Sequence, residues 1–148
     1  MPVTIRAARA EDAETIRAMI RHETLDPTSM KWPNFVIAED TDASGAVQVV
    51  AIGQIKPLPG GHRELGSLIV VESHRGRGLA GQVIAALEAN APRPLYLLCE
   101  TKREALYARY GYQPLSVWRA PVVLALKWLV PTVLWGWRGY SFRLMVKP

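Results

Sequence analysis

Apolar and polar residues alternate along this chain in short runs separated by turn chemistry. Phe35-Val36-Ile37-Ala38-Glu39 and Ala46 to Ile55 read as strands, with the turn residues Asp42-Ala43-Ser44-Gly45 between them. Leu65 to Val71 and Leu95-Tyr96-Leu97-Leu98-Cys99 are further strands, the second of them short and buried. The other rhythm is helical. Ala13, Ile16 and Ile20 share one face, as do Leu79, Val83 and Leu87 in a helix running from Leu79 to about Ala89. Asn90-Ala91-Pro92-Arg93-Pro94 ends that helix, and Pro57-Leu58-Pro59-Gly60-Gly61 is a tight connection between strands. Thr24 to Pro33 is read as irregular or as a short helix, with Trp32 serving either the core or a binding cleft.

One stretch breaks the alternation. Ala120 to Trp137 is apolar almost throughout, with Lys127 near its middle and Pro131 after it. A membrane-spanning helix needs about twenty such residues, and a central lysine costs roughly 2.5–3.5 kcal/mol on insertion scales. Tyr140 to Val146 alternates again and is expected to pair with Ser116-Val117-Trp118 or its neighbours. The apolar stretch therefore leaves the sheet and returns to it. It is expected to be a folded-in helix over 121–137 that covers the core. Self-association in a homodimer ranks second for it, and a membrane surface, with Trp135, Trp137 and Arg138 at headgroup level, a distant third.

The most informative segment is Val70-Val71-Glu72-Ser73-His74-Arg75-Gly76-Arg77-Gly78-Leu79-Ala80. A strand runs into a basic, glycine-interrupted turn that opens directly into a helix. Free backbone N–H groups and the positive end of the helix dipole then converge on one point, which suits a diphosphate. Gly76 and Gly78 let the backbone approach the anion, and Arg75 and Arg77 add forked donors. The spacing fits neither the dinucleotide fingerprint nor the Walker pattern. The plain alternative is an ordinary strand–helix connection with its charges in solvent.

Arg75-x-x-Gly78-x-Ala80 resembles the pyrophosphate signature Q/R-x-x-G-x-G/A of the GNAT acetyltransferase superfamily, and the likeness extends over nearly the whole chain. Thr4-Ile5-Arg6-Ala7-Ala8 with Glu11-Asp12-Ala13 resembles the family's first strand and the opening of its first helix. Glu104-Ala105-Leu106-Tyr107-Ala108-Arg109-Tyr110-Gly111-Tyr112 resembles its second marker, where Gly111 suits a left-handed helix end. The resemblance implies an α/β fold with a mixed, mostly antiparallel central sheet of about six to seven strands flanked by helices. The extra apolar helix before the last strand departs from the family, whose members mostly return by a hairpin. The departure leaves the acceptor open.

Length and charge bound the rest. At 148 residues one domain, 1–148, is expected. Cys99 is the sole cysteine, and His22, His62 and His74 lack ligand spacing and read as surface residues, so no metal is expected. No signal-like run is read in Met1 to Ala10, and a reducing, cytoplasmic setting is expected. The net charge is +5, and many of the basic residues, Arg63, Arg75, Arg77, Arg93, Lys102, Arg103 and Arg109, lie near or after the basic turn, without the aromatic-interleaved stripe of a nucleic-acid binder.

By the same resemblance, the chain transfers an acetyl group from acetyl-coenzyme A to a primary amine, by direct attack in a ternary complex. Arg75, Gly76, Arg77, Gly78, Leu79 and Ala80 would hold the cosubstrate. Backbone N–H groups of Leu68, Ile69 and Val70 would polarise the thioester carbonyl. Glu64, at the start of the fourth strand, is the candidate base, against the plainer reading of a solvent-facing strand charge. His62, on the same face, is its reserve. Tyr107 is the candidate acid, against a core tyrosine, and Cys99 reads as a small core residue. Two other classes stay in view: a non-catalytic acyl-coenzyme A sensor, and a membrane-surface or scaffold protein using the apolar helix.

Overall fold

The structure, a computed structural model, describes residues 3–23, 25 and 29–148. Seven strands, β1 (Val3–Ala7), β2 (Phe35–Thr41), β3 (Val47–Leu58), β4 (His62–Val70), β5 (Leu95–Glu100), β6 (Gln113–Pro114) and β7 (Phe142–Lys147), form one sheet in the order β1-β2-β3-β4-β5-β7-β6. Helices α1 (Ala13–His22), α2 (Leu79–Glu88), α3 (Glu104–Ala108) and α4 (Val122–Trp135) complete the fold. The β1/β2, β2/β3, β5/β7 and β6/β7 pairs are antiparallel. β4 and β5 run parallel, meeting at Glu64↔Tyr96, a pairing that requires the long α2 crossover between them. The architecture is the α/β, mostly antiparallel sheet that the sequence resemblance implies.

Contacts divide the chain into two compact units, Met1–Lys56 with Leu65–Ala91 and Pro57–Glu64 with Pro92–Pro148. In the first, Ile16 and Ile20 of α1 pack with Ala8, Phe35, Ile37, Ile52 and Ile69 in one cluster. Each such side chain withdrawn from water contributes about 1.5–3 kcal/mol. Trp32 lies in a 3₁₀ turn (Trp32–Asn34) and packs against this cluster, which answers the core-or-cleft alternative in favour of the core. Thr24, Asp26, Pro27 and Thr28, part of the segment read as irregular or helical, lie outside the described residues. Arg6 donates to both Asp12 and Glu39 and so ties β1 to the start of α1 and to β2. At Gly53 of β3 an added Cβ would lie 2.9 Å from Val83 and 3.1 Å from Leu87, so only glycine lets α2 sit this close to the sheet.

In the second unit β5 buries Leu95, Leu97 and Cys99 at every other position, as an alternating strand should. Leu144 and Met145 of β7 are buried as well, and Cys99 Sγ approaches Met145 Sδ to 4.0 Å. Ser116-Val117-Trp118 does not pair with the last strand. Ser116 caps a 3₁₀ turn (Val117–Arg119), and the pairing falls to its neighbours Gln113 and Pro114.

The apolar stretch is helical as expected, with Pro131 inside α4, but covering the core explains little of it. Leu124 is its one buried side chain. Trp128 is half-buried and donates from Nε1 to Phe142 O at 3.1 Å, anchoring the helix on β7. Val122, Leu126, Val130 and Val133 face outward.

Candidate active site

The basic turn forms as its sequence demands. After β4 the chain makes a 3₁₀ turn (Glu72–His74), and Gly78 stands at the N-cap of α2 with φ 77° and ψ 12°. Gly76 shares the left-handed conformation, φ 77°, which a side chain would strain. An added Cβ at either glycine would meet nothing within 4 Å. The space ahead of the helix N-terminus is therefore open to a ligand, the arrangement that suits a phosphate.

The arginines brace this turn. Arg75 Nε donates to Val70 O at 3.0 Å and its guanidinium lies 3.5 Å from Glu23; Arg77 donates to Ser73 O at 3.3 Å. His74 is buried, which corrects its reading as a surface residue. Its Nε2 lies 2.8 Å from Asp40 Oδ2 on β2, and its Nδ1 lies 2.8 Å from Ser73 Oγ. The hydrogen bond from His74 holds the Asp40 carboxyl below the usual carboxylate range. The turn is thus latched to the sheet from behind. Its spacing alone does not show this, because Asp40 is remote in sequence.

Leu68 and Ile69 are buried in β4 and Val70 partly so. Just before them Ser67 takes a left-handed φ of 52°, unusual for a residue with a side chain. Gln54, fully buried on β3, donates from Nε2 to Ser67 Oγ at 2.8 Å and to Ser29 O at 2.7 Å. A kinked strand re-aims backbone groups, which is what a carbonyl-polarising role for 68–70 requires. Neither Ser67 nor Gln54 carries a sequence signal for this.

Glu64 is not a solvent-facing charge. It is 4% exposed, and its Oε2 accepts from Lys127 Nζ at 2.6 Å. The lysine in the apolar helix is the counter-ion of the candidate base. His62 is half-buried and stacks edge-on against Tyr96, with ring centroids 5.8 Å apart.

Tyr107 lies on α3 and is buried, in edge contact with Tyr112 at 6.2 Å. The helix ends as its sequence suggests: Gly111 has φ 92° and donates to Ala108 O. Burial, the largest cause, pushes the Tyr107 phenol up to about 12, so it holds its proton throughout the physiological range. Burial likewise pushes the Cys99 thiol up to about 11, which makes it a poor nucleophile. Among the described residues, no group of three or more His, Cys, Asp or Glu side chains could hold a metal.

Open, left-handed glycine geometry before a helix, on a mostly antiparallel α/β sheet, is an arrangement able to receive a phosphate. The chain matches the acetyltransferase (GNAT) domain over residues 31–114, more than half its length, and belongs to that family.

Similar solved structures share the fold. N-acetylglutamate synthase from Neisseria gonorrhoeae, complexed with coenzyme A and N-acetyl-glutamate, superposes with a TM-score of 0.73 at 19% identity. That match covers 99% of this chain and 35% of the synthase, so the chain spans about a third of that protein. Rv2747 from Mycobacterium tuberculosis, also solved with coenzyme A, gives a TM-score of 0.71 at 20% identity, covering 95% of this chain and 97% of its own. Diaminobutyrate acetyltransferase EctA from Paenibacillus lautus gives 0.61 at 20% identity, covering 74% and 75%. No curated protein matches the chain in sequence.

Proposed function

We propose that residues 1–148 act as one N-acetyltransferase domain that moves the acetyl group of acetyl-coenzyme A onto a primary amine in a ternary complex. The observation that carries this reading is the open, left-handed Gly76/Gly78 turn at the N-terminus of α2, in a chain of this family. In this scheme Arg75 to Ala80 hold the diphosphate, and backbone N–H groups of 68–70 face the thioester carbonyl. The amine nitrogen bonds to the carbonyl carbon, the carbon–sulfur bond breaks, and the thiolate leaves. Glu64 takes the ammonium proton before attack, Tyr107 supplies one to sulfur, and the second proton that nitrogen loses as the amide forms restores the phenol by way of solvent.

The phenol's raised pKa bears on that last step. Against a thiol near 8.5 in water, a donor near 12 works uphill by about 3.5 units, roughly 5 kcal/mol. Burial lifts thiols too, as the value of about 11 for Cys99 illustrates. Burial of the leaving thiolate in the site would narrow that gap. The alignment of Tyr107 with the family's second marker supports an enzyme over a non-catalytic acyl-coenzyme A sensor. The cosubstrate and the unpaired Cys99 support a cytoplasmic setting.

The test is a panel of amine acceptors with acetyl-coenzyme A, reading out free thiol. Glutamate, 2,4-diaminobutyrate, polyamines and peptide N-termini belong in it. Acceptor-dependent thiol release supports the reading. Coenzyme A binding with no release for any amine class would favour the sensor.

A further inference from the structure

We propose that the outward face of α4 is a docking surface for an anionic lipid bilayer, on which the helix lies in the plane of the headgroups. The polarity of α4 is inverted. Its one charged side chain, Lys127, is turned inward to Glu64, and Trp128 is turned inward to Phe142 O. Val122, Leu126, Val130 and Val133 recur at helical spacing on the opposite side, with Val122 at 75% and Val133 at 65% exposure. A surface helix in water does the reverse and puts its charges outward.

Both ends of the helix carry interfacial anchors. Trp118, in the 3₁₀ turn before α4, is 92% exposed and Trp137, in the turn after it, is 76% exposed. Each is followed directly by an arginine, and the Arg138 guanidinium sits 4.8 Å over the Trp137 ring. An apolar stripe flanked by tryptophan and arginine is the composition of a helix lying in a membrane interface.

Charge selects the occupant. Residues 105–148 hold six of the eighteen basic residues and none of the thirteen acidic ones. Lys127 and Arg143 are paired with Glu64 and Glu104, and among the others Arg119 and Arg138 lie at the two ends of α4. A second copy would set two such surfaces against each other with no carboxylate from this segment to pair with either. A leaflet of anionic lipid supplies the opposite charge and an apolar layer together. The helix lies on the bilayer and does not cross it. Its 14 residues reach about 21 Å at 1.5 Å per residue, against roughly 30 Å of hydrocarbon. Among the described residues no helix is long and apolar enough to cross.

The experiment is flotation of the full chain with phosphatidylglycerol vesicles and, separately, phosphatidylcholine vesicles, with tryptophan emission recorded in each. The chain should float with phosphatidylglycerol, less so at high salt, and its emission should shift to the blue. The double variant Val130→Asp/Val133→Asp should lose about tenfold or more of that binding while keeping its fold and its coenzyme A affinity. Three results would overturn the proposal. One is a chain that stays unbound with phosphatidylglycerol at low salt. Another is binding that the double variant leaves intact, which would mean adsorption by charge alone. The third is a dimer in sedimentation that the double variant dissolves, which would give the face to a second copy.

Discussion

Lys127 Nζ donates to Glu64 Oε2 across 2.6 Å, so the one cation of the apolar helix neutralises the carboxylate that the sequence singles out as the base. Only 5% of the Glu64 side chain is exposed and 25% of the Lys127 side chain. A buried carboxylate of this kind needs its counter-ion more than a surface pair does. The insertion is thereby coupled to the proposed chemistry.

Replacing Lys127 by Met should therefore strand the Glu64 charge and lower stability by up to about 3 kcal/mol. Adding Glu64→Gln should return part of that loss, because the uncompensated charge goes with it. Thermal unfolding of the single and double variants measures the coupling. Strict additivity would mean that the pair contributes nothing.

Glu64→Gln alone should lower turnover mainly at neutral pH and recover part of it as pH rises, since an acceptor that loses its own proton no longer needs a base. The pH–rate profile is the readout. A profile of unchanged shape and height would remove Glu64 from the mechanism and move attention to His62.

The Tyr107 phenol, near 12 in the folded chain, should ionise about two units above an ordinary tyrosine in an ultraviolet titration. Its folded value is raised, so its contribution to stability is fully present below about pH 10 and is lost as pH climbs towards 12. Tyr107→Phe should remove that alkaline loss. It should leave coenzyme A affinity nearly unchanged while turnover falls by roughly 10²–10⁴-fold, the range for a lost general acid. Undiminished turnover would reduce Tyr107 to a packing residue.

His74→Ala should weaken coenzyme A binding by about tenfold, the loss of one buried hydrogen bond, though His74 sits behind the turn and not in it. Turnover at saturating acetyl-coenzyme A should survive. Calorimetry and steady-state kinetics separate the two effects.

What the sequence made legible was local. The period-two burial of β5, the face of α1 with Ile16 and Ile20, and the glycine-interrupted turn into α2 each follow from neighbours in the chain. What it hid depends on residues far apart in number. Glu64 and Lys127, Asp40 and His74, and Gln54 and Ser67 meet only after folding, and no spacing rule joins them. The outward exposure of α4 is hidden for a related reason. Apolar composition signals burial, but burial against what depends on which face carries Lys127, and that face turned inward.

Calorimetry of coenzyme A against the wild-type chain and a folded Gly78→Val variant tests the central claim most directly. Valine there forces a branched side chain into the left-handed backbone and into the open space before α2. The wild type should bind, Arg75→Ala should bind more weakly by about 1–3 kcal/mol, and Gly78→Val should not bind measurably. Unchanged affinity in a folded Gly78→Val protein would contradict the assignment of the cosubstrate to this turn.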